Sequence, residues 1–406
     1  MATGNPSNYW KDDPIFGSID LDDEYITDQW LVDQFVGNNL FTWGNDNLGQ
    51  LGNGVPSVTA LSYSSPIQVG SLTNWKQVAA GDSHTSAIKT DGTLWTWGWN
   101  NFGQLGNGTT VYYSSPIQVG SLTNWKQVSA GYIITSAIKT DGTLWTWGLN
   151  QYGELGNGTA TPYSSPIQVG SLTNWKQVSC GASTIAAIKT DGTLWTWGWS
   201  NNGGLGNGTA SASLNYSSPL QIGALTNWKQ VSAGNAQTAA IKTDGTLWVW
   251  GSNNGGQLGN QNIINYSSPI QVGSLNNWKQ VSVNGSATAA IKTDGTLWTC
   301  GYNIQISTPI GILGNGTGVS YSSPIQVGSL TNWKIVVFSG SQGTAGAIKT
   351  DGTLWTWGIN ASGQLGNGTN LRYSSPIQVG TLTNWKQVSG GNLGIHLAAI
   401  TFADIT

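Results

Sequence analysis

From about residue 38 to the end of the chain, apolar and polar residues alternate in runs of five to seven, broken by glycine, asparagine and serine. That period of two describes half-buried β-strands, and no stretch shows the 3.6-residue period of a helix. The run AIKTDGTLWTWG (residues 87–98) reads as a hairpin, with β-formers flanking Asp91-Gly92. Asp-Gly is expected to supply both positive-φ residues of a type I′ turn. WKQVSAG and PIQVG read as two further short strands. Together these make four strands in a unit of about fifty residues, the signature of a propeller blade.

The unit repeats seven times by three separate markers. YSSPIQVG, with small changes, starts at Tyr63, Tyr113, Tyr163, Tyr216, Tyr266, Tyr321 and Tyr373. Trp-Lys recurs at Trp75, Trp125, Trp175, Trp228, Trp278, Trp333 and Trp385. The Trp-Gly position recurs at Trp43, Trp97, Trp147, Trp197, Trp250, Cys300 and Trp357. Six hairpins are complete, and the seventh is divided between LFTWG (residues 40–44) and HLAAI (residues 396–400). Each half alone would leave an open sheet edge. Pairing a strand at about 40–44 with one at about 396–401 closes the ring, so the expected fold is all-β, a closed seven-bladed β-propeller.

Composition narrows the function. Charged residues are only 8% of the chain, whereas glycine (57) and tryptophan (23) abound. The tryptophans read as inter-blade core, with a carbohydrate-stacking platform as the alternative. Cys180 and Cys300 replace Ala and Trp of other copies and read as fillers rather than a disulfide. His84 and His396 occupy a position where other copies have Ile134, Thr184, Gln237, Ala287 and Thr344, a tolerance unlike that of a catalytic or metal site. GQLGNG lacks the Lys-Ser/Thr of a phosphate loop and reads as a glycine turn. The Asn-Gly-Thr sites at Asn107, Asn157, Asn207, Asn315 and Asn367 likewise read as turns. No catalytic constellation, cofactor or metal site is expected. Lysines form two rings, and those of the KTDG strings sit two residues from an Asp. They read as solvated, locally neutralised turns, with an anion-binding ring as the alternative.

Residues 97–108 (WGWNNFGQLGNG) and 79–98 resemble the regulator of chromosome condensation repeat family, and the likeness extends over residues 38–406. The resemblance implies a seven-bladed propeller with strands from both termini sharing one blade. Studied members of that family are nucleotide-exchange factors for a small nuclear GTPase that dock on chromatin through a basic tail. Here residues 1–37 hold eight acidic residues against Lys11, a net −7, while the remainder carries +4. Such a tail would be repelled by phosphate backbones, so no nucleic-acid partner is expected. In style the near-identical copies are closest to bacterial and phage-encoded members of the family. There is neither a basic n-region with an apolar core nor an apolar run of membrane-spanning length, so synthesis in the cytoplasm without membrane insertion is expected, with virion association open.

Function is therefore sought where the copies differ. Three segments vary: one after Trp-Gly, one before the hairpin, one before YSSP. The candidate partner-binding residues are Trp99, Phe102, Tyr112, Tyr132, Ile133, Tyr152, Trp199, Tyr302 and Ile304. Drift at tolerant loop positions is the competing explanation. A non-repeat segment, residues 1–37, is the candidate anchor, through Trp10, Tyr25, Trp30, Leu31 and Phe35. The expected function is a non-catalytic binding or structural module, contacting protein or surface glycan. Its expected setting is a larger oligomeric or virion assembly of phage or adhesion type. Regulation of a small GTPase, or inhibition of an enzyme, is the alternative.

Overall fold

The computed structural model describes residues 38–55, 61–210, 214–305, 308–309, 311–340, 343–391 and 394–402. Among them are seven four-stranded antiparallel sheets, arranged as the blades of a ring. Blade 1 closes the ring and runs Ser62–Gln68, Asn38–Asn45, His396–Phe402, Trp385–Gly390 from rim to channel. Leu40 pairs with Ile400 and Gly44 with His396, so the two ends of the chain complete one hairpin in the register expected from the other six. Blade 2 runs from channel to rim as Trp75–Ala80, His84–Lys89, Leu94–Gly98 and Tyr113–Gln118. Blades 3 to 7 repeat this order from Trp125, Trp175, Trp228, Trp278 and Trp333. In blade 6 the interruption after Tyr302 is a short ribbon pairing Ile304–Gln305 with Thr308–Pro309.

Burial follows position in the blade. The second strand is buried along its whole length in every blade from 2 to 7, because blades pack against both its faces. The rim strand is half exposed, as its alternation predicts. The hairpin turn departs from expectation. Gly92 has φ +77° but Asp91 does not have positive φ, and the backbone bonds Gly92 N→Lys89 O and Lys89 N→Thr93 O enclose a three-residue loop. Asp91 instead accepts from the backbone N and Oγ1 of Thr93, at 2.9 and 2.6 Å. Gly92 is required twice, since a Cβ there would also meet the carbonyl of Thr123 in the link to the next blade.

The blades are braced to one another at two radii. Near the rim, the indole N–H of the Trp-Gly position donates to a loop carbonyl of the preceding blade. Trp97 reaches Gln50 O at 2.9 Å, Trp147 reaches Gln104 O at 2.9 Å, and Trp43 reaches Gln364 O at 2.9 Å across the closure. These rings are fully buried, and burial of about 200 Å² is worth at most about 5 kcal/mol. GQLGNG supplies the receiving loop: a Cβ on its second glycine, Gly106 (φ +72°), would lie 2.6 Å from Trp147 Nε1. Only glycine admits the indole. At Cys300 the brace weakens to a thiol contact with Gln257 O at 3.6 Å.

Around the channel the brace is a glutamine. Gln77 donates to Val128 O and accepts from Val128 N, at 3.2 and 3.0 Å, bridging inner strands that make no backbone ladder with each other. Gln127, Gln177, Gln230, Gln280 and Gln387 repeat this, and Ile335 interrupts it in blade 7. The channel these strands line is a small polar cavity of about 230 Å³.

Replacing Trp147 by Phe should lower stability by about 2 kcal/mol or more, through lost area and an indole bond no longer made to a buried carbonyl. Cys300→Ala, where the brace is already weak, should cost about 1 kcal/mol. Denaturant unfolding of both variants checks this; equal losses would show that the indole bond is not the brace.

Candidate functional site: the variable loop face

The register places all three variable segments at one end of the blades. His84 pairs with Gly98 and Gly98 with Tyr113, so the segments before His84, after Gly98 and before Tyr113 emerge side by side. The nearly invariant KTDG turns and the Thr-Asn-Trp links lie at the opposite end, joined by the Thr90 N→Asn74 O bond. One face of the ring is therefore variable, and the other is constant.

The loops of the variable face are pinned from below. Asn100 donates to Asn107 Oδ1, Thr109 O and Val111 O and accepts from Leu105 N, so one fully buried amide fixes the turn. Asn150, Asn253, Asn303 and Asn360 make the corresponding bonds from their Nδ2 and Oδ1 atoms. In blade 1 the position is Asp46, whose carboxylate accepts from Leu51 N and Asn53 Nδ2; burial still holds its pKa above the ordinary value. Asn107 Oδ1 caps its own turn by accepting from Thr109, as the turn reading of Asn-Gly-Thr expects.

On this pinned surface the candidate residues divide. Trp99 donates to Tyr112 Oη at 2.7 Å and meets Phe102 edge-on at 5.8 Å, forming one cluster on blade 2 with Phe102 exposed. Tyr152 stacks on Trp199 at 5.1 Å across blades 3 and 4, and Tyr132 is half-buried just before the second strand of blade 3. Tyr302 stands exposed on blade 6, away from that arc, and Ile304 is described only through its backbone strand. Ile133 is 4% exposed and turns into the core, so it offers no surface to a partner. The anchor candidates Trp10, Tyr25, Trp30, Leu31 and Phe35 lie outside the described residues. Exposed aliphatics of the varying segment before YSSP complete the face: Val111, Ile263, Ile264, Val319 and Leu371, each 54–65% exposed just before a rim strand.

Beneath the loops lie the buried polar groups. Thr135 Oγ1 donates to Gln104 O, so its contact with His84 Nε2 at 3.0 Å places the donated hydrogen on the imidazole. His396 meets Thr85 in the same way. In blade 5 the equivalent Gln237 Nε2 donates to Thr288 Oγ1 at 2.9 Å. The histidines are thus inter-blade braces, interchangeable with glutamine. Burial, with the second histidine nearby, lowers His84 to about 3; burial lowers His396 to about 4, with a backbone contact to Asp82 partly opposing it. Glu154 occupies the position of Gln104 and accepts from Tyr152 N at 2.8 Å as Gln104 accepts from Phe102 N. Burial raises its carboxyl to about 7, partly offset by its own and Tyr152's backbone N–H groups. Among the described residues no three His, Cys, Asp or Glu come together as metal ligands, and no helix is long and apolar enough to cross a membrane. Cys180 and Cys300 are both buried, and neither is in a disulfide.

The constant face corrects the reading of the KTDG lysines. Lys89, Lys139, Lys189, Lys242, Lys292 and Lys349 are 5–7% exposed, with Nζ 3.6–3.7 Å from the centroid of Trp95 or its counterpart. The indole face takes the ammonium, while the Asp of the turn, bonded to Thr, still favours the charged lysine through its own charge.

A family model for the RCC1-like domain matches residues 39–396. The chain belongs to that family. The resemblance drawn from WGWNNFGQLGNG holds across the propeller. Among curated relatives, the Ultraviolet-B receptor UVR8 of Arabidopsis thaliana is 30% identical over 173 residues, 43% of this chain and 39% of the receptor. The Guanine nucleotide exchange factor SRM1 of Saccharomyces cerevisiae is 39% identical over 67 residues, 16% of this chain and 14% of that protein. The human X-linked retinitis pigmentosa GTPase regulator is 32% identical over 111 residues, 27% of this chain and 10% of the regulator. The matches thus span well under two thirds of these relatives. Among solved structures, Prp20p of Saccharomyces cerevisiae superposes with a TM-score of 0.77 at 19% identity, over 94% of this chain and 96% of that one. This RCC1-like propeller therefore shares their ring architecture.

Two pH effects follow. Both histidines are neutral in the fold, and the unfolded chain protonates first as pH falls through 6.5. Stability is therefore full above pH 6.5 and declines toward pH 3–4, by about 2 kcal/mol per histidine near pH 4.5. The double variant His84→Gln, His396→Gln should keep the ring and flatten that decline in acid unfolding titrations. Glu154 acts oppositely. The native state holds its proton up to about pH 7 while the unfolded chain releases it near 4.5, so stability falls as pH rises across that window. Glu154→Gln should add about 1–3 kcal/mol at pH 8 and nothing below pH 4.

Proposed function

We propose that this RCC1-like propeller is a non-enzymatic protein-binding module that engages its partner through the variable loop face. The observation carrying this reading is the convergence of half-buried aromatic and exposed aliphatic side chains there, with Phe102 exposed among the aromatics. Trp99, Phe102, Tyr152 and Trp199 form an aromatic arc over blades 2 to 4, and Ile263, Ile264, Val319 and Leu371 an aliphatic arc over blades 5 to 7. A crown of this kind exposes apolar surface beyond scattered single residues, as interaction sites do. The Asn-pinned loops reduce the entropy lost on binding.

The partner's class is best approached through the relatives. An exchange factor and a GTPase regulator stand among them by name, which favours a small GTPase as partner. The alternatives of a surface glycan, enzyme inhibition, or an assembly of virion or adhesion type attached through residues 1–37 rest on the chain's sequence alone. So does the division at residue 37 into an acidic segment and the propeller.

The double variant Phe102→Ala, Tyr152→Ala should weaken capture of the native partner at least tenfold, and Asn254→Ala on the polar blade 5 loop should leave it unchanged. Undiminished capture by the double variant would remove the aromatic arc as the interface. Release of fluorescent GDP from a panel of small GTPases tests the partner class, and a flat response across the panel would overturn it.

A further inference from the structure

Two built grooves between blades, running from the glycine loop at one end to the link and lysine at the other, are not used by the loop-face reading. Between blades 2 and 3 the groove holds about 370 Å³, and between blades 3 and 4 about 340 Å³, each lined by two tryptophans, a lysine, a proline and a half-exposed leucine. In the first, Lys139 is 7% exposed and its ammonium lies over Trp145 at 3.6 Å and Trp125 at 5.0 Å. Asp141, two residues away, turns its Oδ1 to Thr143. No hydrogen bond or ion pair falls on Lys139 among the described residues, so a nearly buried ammonium lies against indole faces, with Asp141 acting on it through its charge alone. A buried cation without acceptors is costly, and a carboxylate is the group that satisfies it best. Leu122 and Pro166 beside it favour an occupant that interleaves acidic with apolar side chains.

Such a sequence lies in this chain. Residues 19–35 read IDLDDEYITDQWLVDQF, within a segment of net −7 set against a propeller of +4. The segment joins the ring at Asn38, whose backbone N bonds to Thr73 O and which bridges Asn74. Thr73 lies between Leu72 and Trp75, the blade 1–2 counterparts of Leu122 and Trp125. Trp75 pairs with Lys89, and Lys89 lies 3.6 Å from Trp95. The acidic segment thus enters the propeller on the constant face, beside Lys89, Trp75 and Trp95, the counterparts of Lys139, Trp125 and Trp145. Five residues of chain reach about 17 Å, enough for Asp33 to arrive there.

We propose that the acidic N-terminal segment of this chain occupies the lysine–tryptophan groove between blades 1 and 2, bringing the carboxylate of Asp33 or Asp28 to Lys89 and its apolar side chains to Leu72 and Trp95. The grooves at Lys139 and Lys189 have no such chain entry beside them.

That asymmetry supplies the control. Lys89 and Lys139 sit in near-identical surroundings, 5% and 7% exposed, so without an occupant an amine-reactive acetylating ester labels them at similar rates. In the full-length chain at low salt, Lys89 should be labelled at least fivefold more slowly than Lys139, and Asp28→Asn, Asp33→Asn should abolish the difference without touching the propeller. Zero-length carbodiimide coupling, mapped by mass spectrometry, should join Lys89 to Asp28 or Asp33 within one molecule. Equal labelling of Lys89 and Lys139 in the unmodified chain would overturn the proposal. So would coupling products found only between two molecules, which would make a second copy the occupant, or spread evenly over all lysines, which would leave only diffuse attraction.

Discussion

The ring stands on one hydrogen bond made between blades, from the indole N–H of a buried tryptophan to a loop carbonyl of its predecessor. Each sheet is complete within itself, so nothing in its own ladder holds it to the next. The indole supplies apolar area and direction together: the six-membered ring fills the space between sheets, and the single donor sets their stagger. The glycine after the accepting carbonyl is its counterpart, because a side chain there would collide with the nitrogen it must admit. GQLGNG is thus the socket of a joint, and its glycines are fixed by the neighbour rather than by their own strand.

A joint repeated around a circle must also close. Trp43 reaches Gln364 O at 2.9 Å, across the junction where the two ends of the chain share blade 1, so closure uses the same contact as every other interface. The glutamines of the channel add a second, independent brace. Inner strands of neighbouring blades belong to separate sheets, and a side-chain amide takes the place of the missing backbone pairs. The two defects fall in different blades, Cys300 in blade 6 and Ile335 in blade 7. No interface loses both braces, and this is why a ring of near-identical units tolerates either.

The closure and the strand count were legible in the sequence because they depend on pairing within a repeat, where spacing and alternation are informative. A hairpin cut in two can be recognised from its halves. What depended on contacts between repeats was not legible. Gln77 reads as one more polar residue on a strand, and its partner Val128 lies fifty-one positions away. The KTDG lysines read as solvated because Asp is two residues off, yet the hairpin carries Lys89 over Trp95, six positions on, while Thr93 takes the carboxylate. The Asp-Gly turn misled for a related reason. Asp91 serves its side chain rather than its backbone conformation, leaving Gly92 alone with positive φ. Of the candidate site, the aromatics at Trp99, Phe102, Tyr152 and Trp199 were visible as variable positions. That they share one face follows from register, and Ile133 was lost to the core because a variable position is not always an exposed one.

The separation of faces is itself a physical consequence of the joint. Every indole socket lies in the loop that follows the Trp-Gly strand, so the backbone of that loop is held by the neighbouring blade at one end. The buried Asn100 amide holds it at the other. Between these two fixed points the side chains at positions such as Trp99 and Phe102 bond and pack within their own loop and take no part in the joints between blades. The KTDG end has no such slack: its glycine lies against the next link, its aspartate caps its own turn, and its lysine is sandwiched by tryptophan. Sequence variation is therefore confined to one face by packing before any selection for recognition, and a rigid, variable, apolar crown is what that confinement leaves available to a partner.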